Sequence, residues 1–152
     1  MRRIITVLTI FGFFLSGCTP SKKVIDETSA SNKNIPPGEC RIAAQVIKID
    51  STLSGGASDP CSKAPCVAWI QIKRVIGYGA GSSGLNDGDT LKTKFAFTLS
   101  PTTKDTFPTL KDNLPGLTEG SSFVADIQLV PANPSSVKKE KVYLIYGYNK
   151  TN

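Results

Sequence analysis

Leu91-Lys92-Thr93-Lys94-Phe95-Ala96-Phe97-Thr98-Leu99 is the stretch that decides the fold class. Successive side chains of an extended chain point to opposite faces, so Leu91, Thr93, Phe95, Phe97 and Leu99 share one side while Lys92, Lys94, Ala96 and Thr98 share the other. One apolar and one wet face at a period of two describes a half-buried strand, and strands wet on one side pair antiparallel. Working outward from this run at 89–100, segments rich in Ile, Val, Phe, Thr and Tyr recur near 40–50, 66–78, 121–130 and 141–149, divided by Gly, Pro, Asn and Asp clusters. The run at 121–130 repeats the alternation, with Phe123, Ala125, Ile127 and Leu129 inward and Asp126 and Gln128 outward. From Ile42 to Ile49 the chain is apolar on both faces for part of its length, which predicts a central strand or one that bends between two sheets. The expected class is all-β and antiparallel.

The turns agree. Leu85-Asn86-Asp87-Gly88-Asp89-Thr90 closes a Gly/Ser-rich loop that starts near Gly77, and its Asn, Asp and Gly residues accept the positive φ values of tight turns. Pro131 and Pro134 stop the fourth run. The longest connection, Pro101 to Gly120, follows the third run and holds Phe107, Leu110, Leu114 and Leu117, which predicts an apolar flap or one short helix at the barrel end. Pro108 and Pro115 limit such a helix to about two turns.

Five antiparallel strands with the long connection after the third resemble the layout of an OB-fold barrel, over most of residues 40–149. With Gly88-Asp89-Thr90 opening the third strand, Leu117-Thr118-Glu119-Gly120 opening the fourth and Cys40 at the start of the first, the domain loosely resembles the barrels of netrin-like and metalloproteinase-inhibitor domains. That resemblance implies a five-stranded OB-like barrel. It does not bring the inhibitory mechanism, which there relies on a free amino-terminal cysteine, whereas Cys40 follows a long tether. A small immunoglobulin-like β-sandwich is the alternative, but it needs about seven strands and an inter-sheet Cys, Trp, Cys pattern.

Before the domain, Arg2 and Arg3 precede an apolar run from Ile4 to Phe14 and then Leu15-Ser16-Gly17-Cys18. A positive start, an apolar stretch too short to span a bilayer and small residues before a cysteine make a signal peptide over 1–17. The last four residues resemble the lipobox of bacterial lipoproteins, which implies cleavage before Cys18 and lipid on its thiol. Residues 18–39 are polar, aperiodic and include Pro36-Pro37, as expected of a flexible tether that holds the 40–152 domain away from a membrane. Thr19 is not the aspartate that signals inner-membrane retention in enteric lipoproteins, so the resemblance implies an outer-membrane address in the bacterial envelope.

Composition narrows the chemistry. The chain has 18 Lys and Arg against 12 Asp and Glu, a formal charge of +6 that drops to +4 once Arg2 and Arg3 leave with the leader. Apart from Lys22-Lys23 and the Lys138 to Lys141 stretch, interrupted by Glu140, the basic residues are scattered, which argues against a nucleic-acid partner. Histidine is absent, so Ser-His-Asp and Cys-His nucleophiles, a histidine base and imidazole-bound zinc are excluded. Asp105 and Asp112 are not placed together by any pattern, and Asn86, Asp87 and Asp89 lack calcium-loop spacing, so turn formation is their expected role. No catalytic residue, metal site or cofactor is expected, and the domain is read as a non-catalytic module. Its partners are the membrane, reached through the lipid, and an envelope protein or glycan. An inhibitor or immunity lipoprotein acting on an envelope-directed hydrolase or toxin is the rival.

With Cys18 assigned to lipid, three cysteines remain. Cys61 and Cys66 flank Ser62-Lys63-Ala64-Pro65 and are expected to bridge, whereas Cys40 begins a strand of about ten residues whose far end lies roughly 33 Å away. A strongly bent strand could still bring Cys40 round; left free, it is either a buried small hydrophobe or an intermolecular partner. If Ala68, Ile70 and Ile72 face the core, then Trp69, Gln71 and Lys73 point outward beside Lys92 and Lys94, a candidate binding face suited to sugar or peptide. The competing arrangement turns Trp69 inward or covers it with the 51–65 loop. Tyr143, Tyr146 and Tyr148 either extend that surface or pack the barrel wall with their hydroxyls in water.

Overall fold

The computed structural model describes residues 34–82, 84–130 and 141–151. The leader 1–17, the lipidation position Cys18 and the tether up to residue 33 lie outside the described residues, as do Pro131 and Pro134. Five strands form the described fold: β1 (Glu39–Asp50), β2 (Val67–Tyr78), β3 (Thr90–Phe95), β4 (Ser122–Val130) and β5 (Val142–Thr151). They close into a barrel in the order β1-β2-β3-β5-β4, the OB-like arrangement.

Pairing is mixed where an antiparallel sheet was expected. β1 runs antiparallel to β2 and β4, β2 to β3 and β4 to β5, but β3 and β5 meet parallel. Closure compels this: directions cannot alternate all the way round a ring with an odd number of strands, so one seam must be parallel.

β1 pairs with β2 along one edge and with β4 along the other, as every strand of a closed barrel has two neighbours, so of the two expected arrangements it is the bending strand. The two longest strands bend to go round the barrel through bulges. Ile47 in β1 and Lys73 and Ile76 in β2 are skipped by the ladder, and each extra residue adds local twist. Inside the barrel Phe95, Phe123 and Tyr148 meet edge to face at centroid separations of 6.0 to 6.1 Å, and Ile42, Ile70, Ile72, Ile127 and Ile145 fill the space around them. Cys40 belongs to this core at 1 % exposure, so among the described residues it is a buried hydrophobe. Burial, with the nearby Asp126 charge second, pushes its thiol up to about 11, which leaves little thiolate to react. Thr93 is also fully buried, and its hydroxyl has no hydrogen-bond partner among the described residues.

β3 is shorter than its alternating pattern. The ladder ends because its neighbour does: the Phe95 N–H donates to the Cys66 carbonyl, and the next link to that loop is Leu99 N–H to the Pro65 carbonyl. The chain bends in between and the expected alternation ends there: Thr98, expected on the wet face, is buried beside Leu99, while Phe97 is half-buried, edge-on to Phe107 of the flap at 5.3 Å. Residues 101–120 form a flap and no helix. Thr102 and Leu114 exchange two hydrogen bonds (3.0 and 2.7 Å), Leu117 donates to the Leu99 carbonyl, and Pro101, Pro108 and Pro115 interrupt any helical ladder. At the flap's base Gly116 has φ +80°, and a Cβ there would lie 2.7 Å from the Pro101 side chain.

The tether's last residues are folded onto the domain. Gly38 N–H donates to the Ala80 carbonyl and Gly79 N–H to the Glu39 carbonyl, and a Cβ on Gly79 would meet the Pro36 oxygen at 2.0 Å.

Candidate functional site

The candidate face follows from strand alternation. Ala68, Ile70 and Ile72 are wholly buried, so Trp69, Gln71 and Lys73 must point outward. Trp69 is 41 % exposed, neither turned inward nor covered by the 51–65 loop.

Register then builds a lattice that sequence alone did not assemble. Trp69 stands directly between Lys48 of β1 and Lys92 of β3. The row on one side is Asp50, Val67 and Lys94; the row on the other is Gln45, Gln71 and Thr90. Directly opposed residues have Cβ atoms about 5 Å apart, so the ring has an ammonium-bearing side chain on each side. Lys73 sits in a bulge and donates to the Gln71 side-chain oxygen. All five expected residues, Trp69, Gln71, Lys73, Lys92 and Lys94, thus share one outer surface. Lys48 was missed because a strand apolar on both faces hides which of its polar residues points outward, and the Ile47 bulge shifts the alternation by one.

Lys92 lies 3.6 Å from Asp50 with its side chain 42 % exposed. An exposed ion pair of this kind contributes little, because water and salt screen it. Asp50 itself is held below the usual carboxylate range chiefly by hydrogen bonds from Thr52, with Lys92 a smaller influence. Lys92 therefore stays available to a ligand, and Lys48 and Lys94 have no acidic partner among the described residues.

Past Lys94 the surface continues into a hollow of about 370 Å³ lined by Ala96, Val130, Val142 and Leu144, with Asp59 and Cys61 at its border. The border is stiff. Cys61 and Cys66 are joined by a disulfide with Cα atoms 5.4 Å apart, as expected, and Asp59 caps the single 3₁₀ turn Pro60–Ser62 by accepting the Cys61 N–H.

A second groove, of about 740 Å³, lies between the flap and the opposite flank of the barrel, against β1, β4 and β5. Arg41 and Asp126, directly opposed across β1 and β4, pair there through two hydrogen bonds of 2.6 and 2.7 Å. Arg41 is only 7 % exposed, and the bond to Asp126 raises its already high pKa. Glu39 in the same groove is raised by burial first and by Asp126 second, against the opposing pull of Arg41. Tyr146 and Gly147 bulge opposite the single Asp126, which leaves Tyr146 exposed. Tyr143 and Tyr148 pack inward, and the Tyr148 hydroxyl, expected in water, is buried and accepts the Gly116 N–H at 3.0 Å.

The acidic turn is structural. Asp87 accepts the Val75 N–H at 2.7 Å and Asp89 accepts the Asn86 N–H at 2.8 Å. Among the described residues no three Cys, Asp or Glu side chains gather as metal ligands.

No protein-family model, no curated protein and no solved structure matches this chain. The geometry of its own residues therefore carries the functional argument.

Proposed function

We propose that this protein is a lipid-anchored bacterial envelope protein, tethered through Cys18 to the outer membrane, whose OB-like barrel is a non-catalytic binding module for an envelope protein or glycan. The observation that carries the binding role is Trp69, 41 % exposed in a row between Lys48 and Lys92. Leaving that much indole in water has a hydrophobic cost of about 25 cal/mol per Å² that a ligand would recover. The anchor is supported by Leu15-Ser16-Gly17-Cys18 behind its short apolar run, and the non-catalytic reading by a chain without histidine. The loose likeness to netrin-like and metalloproteinase-inhibitor barrels is kept as a resemblance of layout.

The test is an affinity pulldown with the native lipidated protein from its own envelope extract, beside the Trp69→Ala variant. A partner retained by the first and lost by the second is expected; identical recoveries would remove the binding role. Mass analysis of the same material is expected to find the leader absent and Cys18 acylated, and an unmodified Cys18 would remove the anchor.

The inhibitor reading has one observation in its favour. The bridged Cys61–Cys66 segment is rigid at its base and presents Leu53, 52 % exposed, on the adjoining loop. Reducing the disulfide separates the two readings: an inhibitor that presents this loop loses its target, whereas a partner held by the Trp69 row is retained.

A further inference from the structure

We infer that the Lys48–Trp69–Lys92 row takes a linear sugar polymer bearing anionic groups, carboxylate or phosphate. This rests on the reading of the Trp69 face as the binding surface and adds the chemical class of its ligand.

In the paired lattice Lys48, Lys92 and Lys94 stand around one tryptophan against the acid Asp50, with Lys73 beyond Gln71; two further acids lie at the edges, Glu119, whose carboxylate accepts the Ile49 N–H, and Asp59 in the hollow. That composition is poorly suited to a dry protein interface, whose core is depleted of lysine because each ammonium must shed its water. It suits a ligand that stays hydrated and brings negative charge. The indole offers a flat apolar plate to one sugar ring, and the flanking ammonium groups sit on both sides of it, where the charges of a chain crossing the strands would fall. Gln45, Gln71 and Thr90 form a neutral row beside the plate that can bond hydroxyl groups, although one Gln45 N–H already donates to the Gly120 carbonyl at 3.0 Å. On the other side Lys94 leads into the hollow of about 370 Å³, lined by Asp59 as well as by apolar side chains, which lengthens the track beyond a single ring.

A single-stranded nucleic acid would also meet a cationic surface, but its binding proteins stack successive bases on several rings. In the lattice of nine residues around Trp69 there is no second aromatic. The one-ring, many-lysine arrangement favours a charged glycan.

Trp69 is the chain's single tryptophan, so its indole emission, excited at the red edge where the four tyrosines do not absorb, reports this face. Full-length protein in neutral detergent is titrated with polygalacturonate, phosphorylated dextran, neutral dextran and a sixteen-nucleotide oligothymidylate. Emission is expected to shift with polygalacturonate, phosphorylated dextran or both, and the arm that responds names carboxylate or phosphate. Affinity should fall about tenfold between 50 and 200 mM salt, as two or three charge contacts require. The Lys48→Gln/Lys92→Gln double variant should bind at least about tenfold more weakly while its melting temperature stays within a few degrees.

An emission spectrum unmoved by both charged polymers, neutral dextran binding as well as they do, or tighter binding of the oligonucleotide would each overturn the inference. If the pulldown recovers a Trp69-dependent protein while the charged polymers do nothing, the ligand class fails and the binding-module reading stands.

Discussion

On one flank of β1, Arg41 reaches across to Asp126 of β4 beside a groove walled by the flap; on the other, Lys48 stands in solvent next to Trp69 and Lys92. Both places put a cation on the outer surface of the same strand, yet their chemistry is opposite. Arg41 is nearly inaccessible and its charge is met at two points by one carboxylate, so the pair is satisfied within the fold and offers a ligand little. The lysine row carries charge that the described fold leaves largely unmatched, around an apolar ring that it leaves wet. Internal neutralisation is therefore what separates a structural charge from one available for recognition, and the larger groove is not automatically the better site.

Four variants would break or sharpen that contrast. The largest effect belongs to Asp126→Ala, which takes two charge-assisted hydrogen bonds from a nearly inaccessible Arg41 guanidinium and should lower unfolding free energy by about 2 kcal/mol in urea denaturation. Replacing both partners, Arg41→Met with Asp126→Leu, should restore most of that loss, because no lone charge is left behind. Between the flanks, inside the barrel, Thr93→Val should stabilise the protein by about 1 kcal/mol, since it removes a buried hydroxyl without a partner among the described residues and keeps the shape; a lower melting temperature would point to a water in the barrel. The smallest effect is on the open flank, where Trp69→Ala should change stability by less than about 0.5 kcal/mol. A large loss there would mean that the ring packs as part of the fold, and the contrast would disappear.

The strands were legible because local alternation is enforced by burial. Leu91 to Leu99 and Phe123 to Leu129 repeat at a period of two, and burial follows that period until β3 leaves its ladder after Phe95. The Cys61–Cys66 bridge was legible because both ends lie within five residues, a distance that the intervening segment nearly dictates. The candidate face was legible in part. Trp69, Gln71 and Lys73 were placed outward by three buried neighbours, whereas Lys48 was hidden behind a bulge that no pattern in β1 announces. The flap's apolar residues were legible too, but not their conformation, which depends on the Thr102–Leu114 clasp and on Tyr148 meeting Gly116 across 32 residues.

By itself the amino-acid sequence determined the number of strands, which faces are wet, the local disulfide and the absence of imidazole chemistry, because each of these depends on residue identity or on neighbours a few positions apart. Only the tertiary structure decided the parallel β3–β5 seam, the Arg41–Asp126 pair separated by 85 residues, and the row that brings Lys48, Trp69 and Lys92 together. Those features depend on register and on closing a ring of five strands, and a chain's pattern of apolar and polar residues carries no record of which strand will lie beside which.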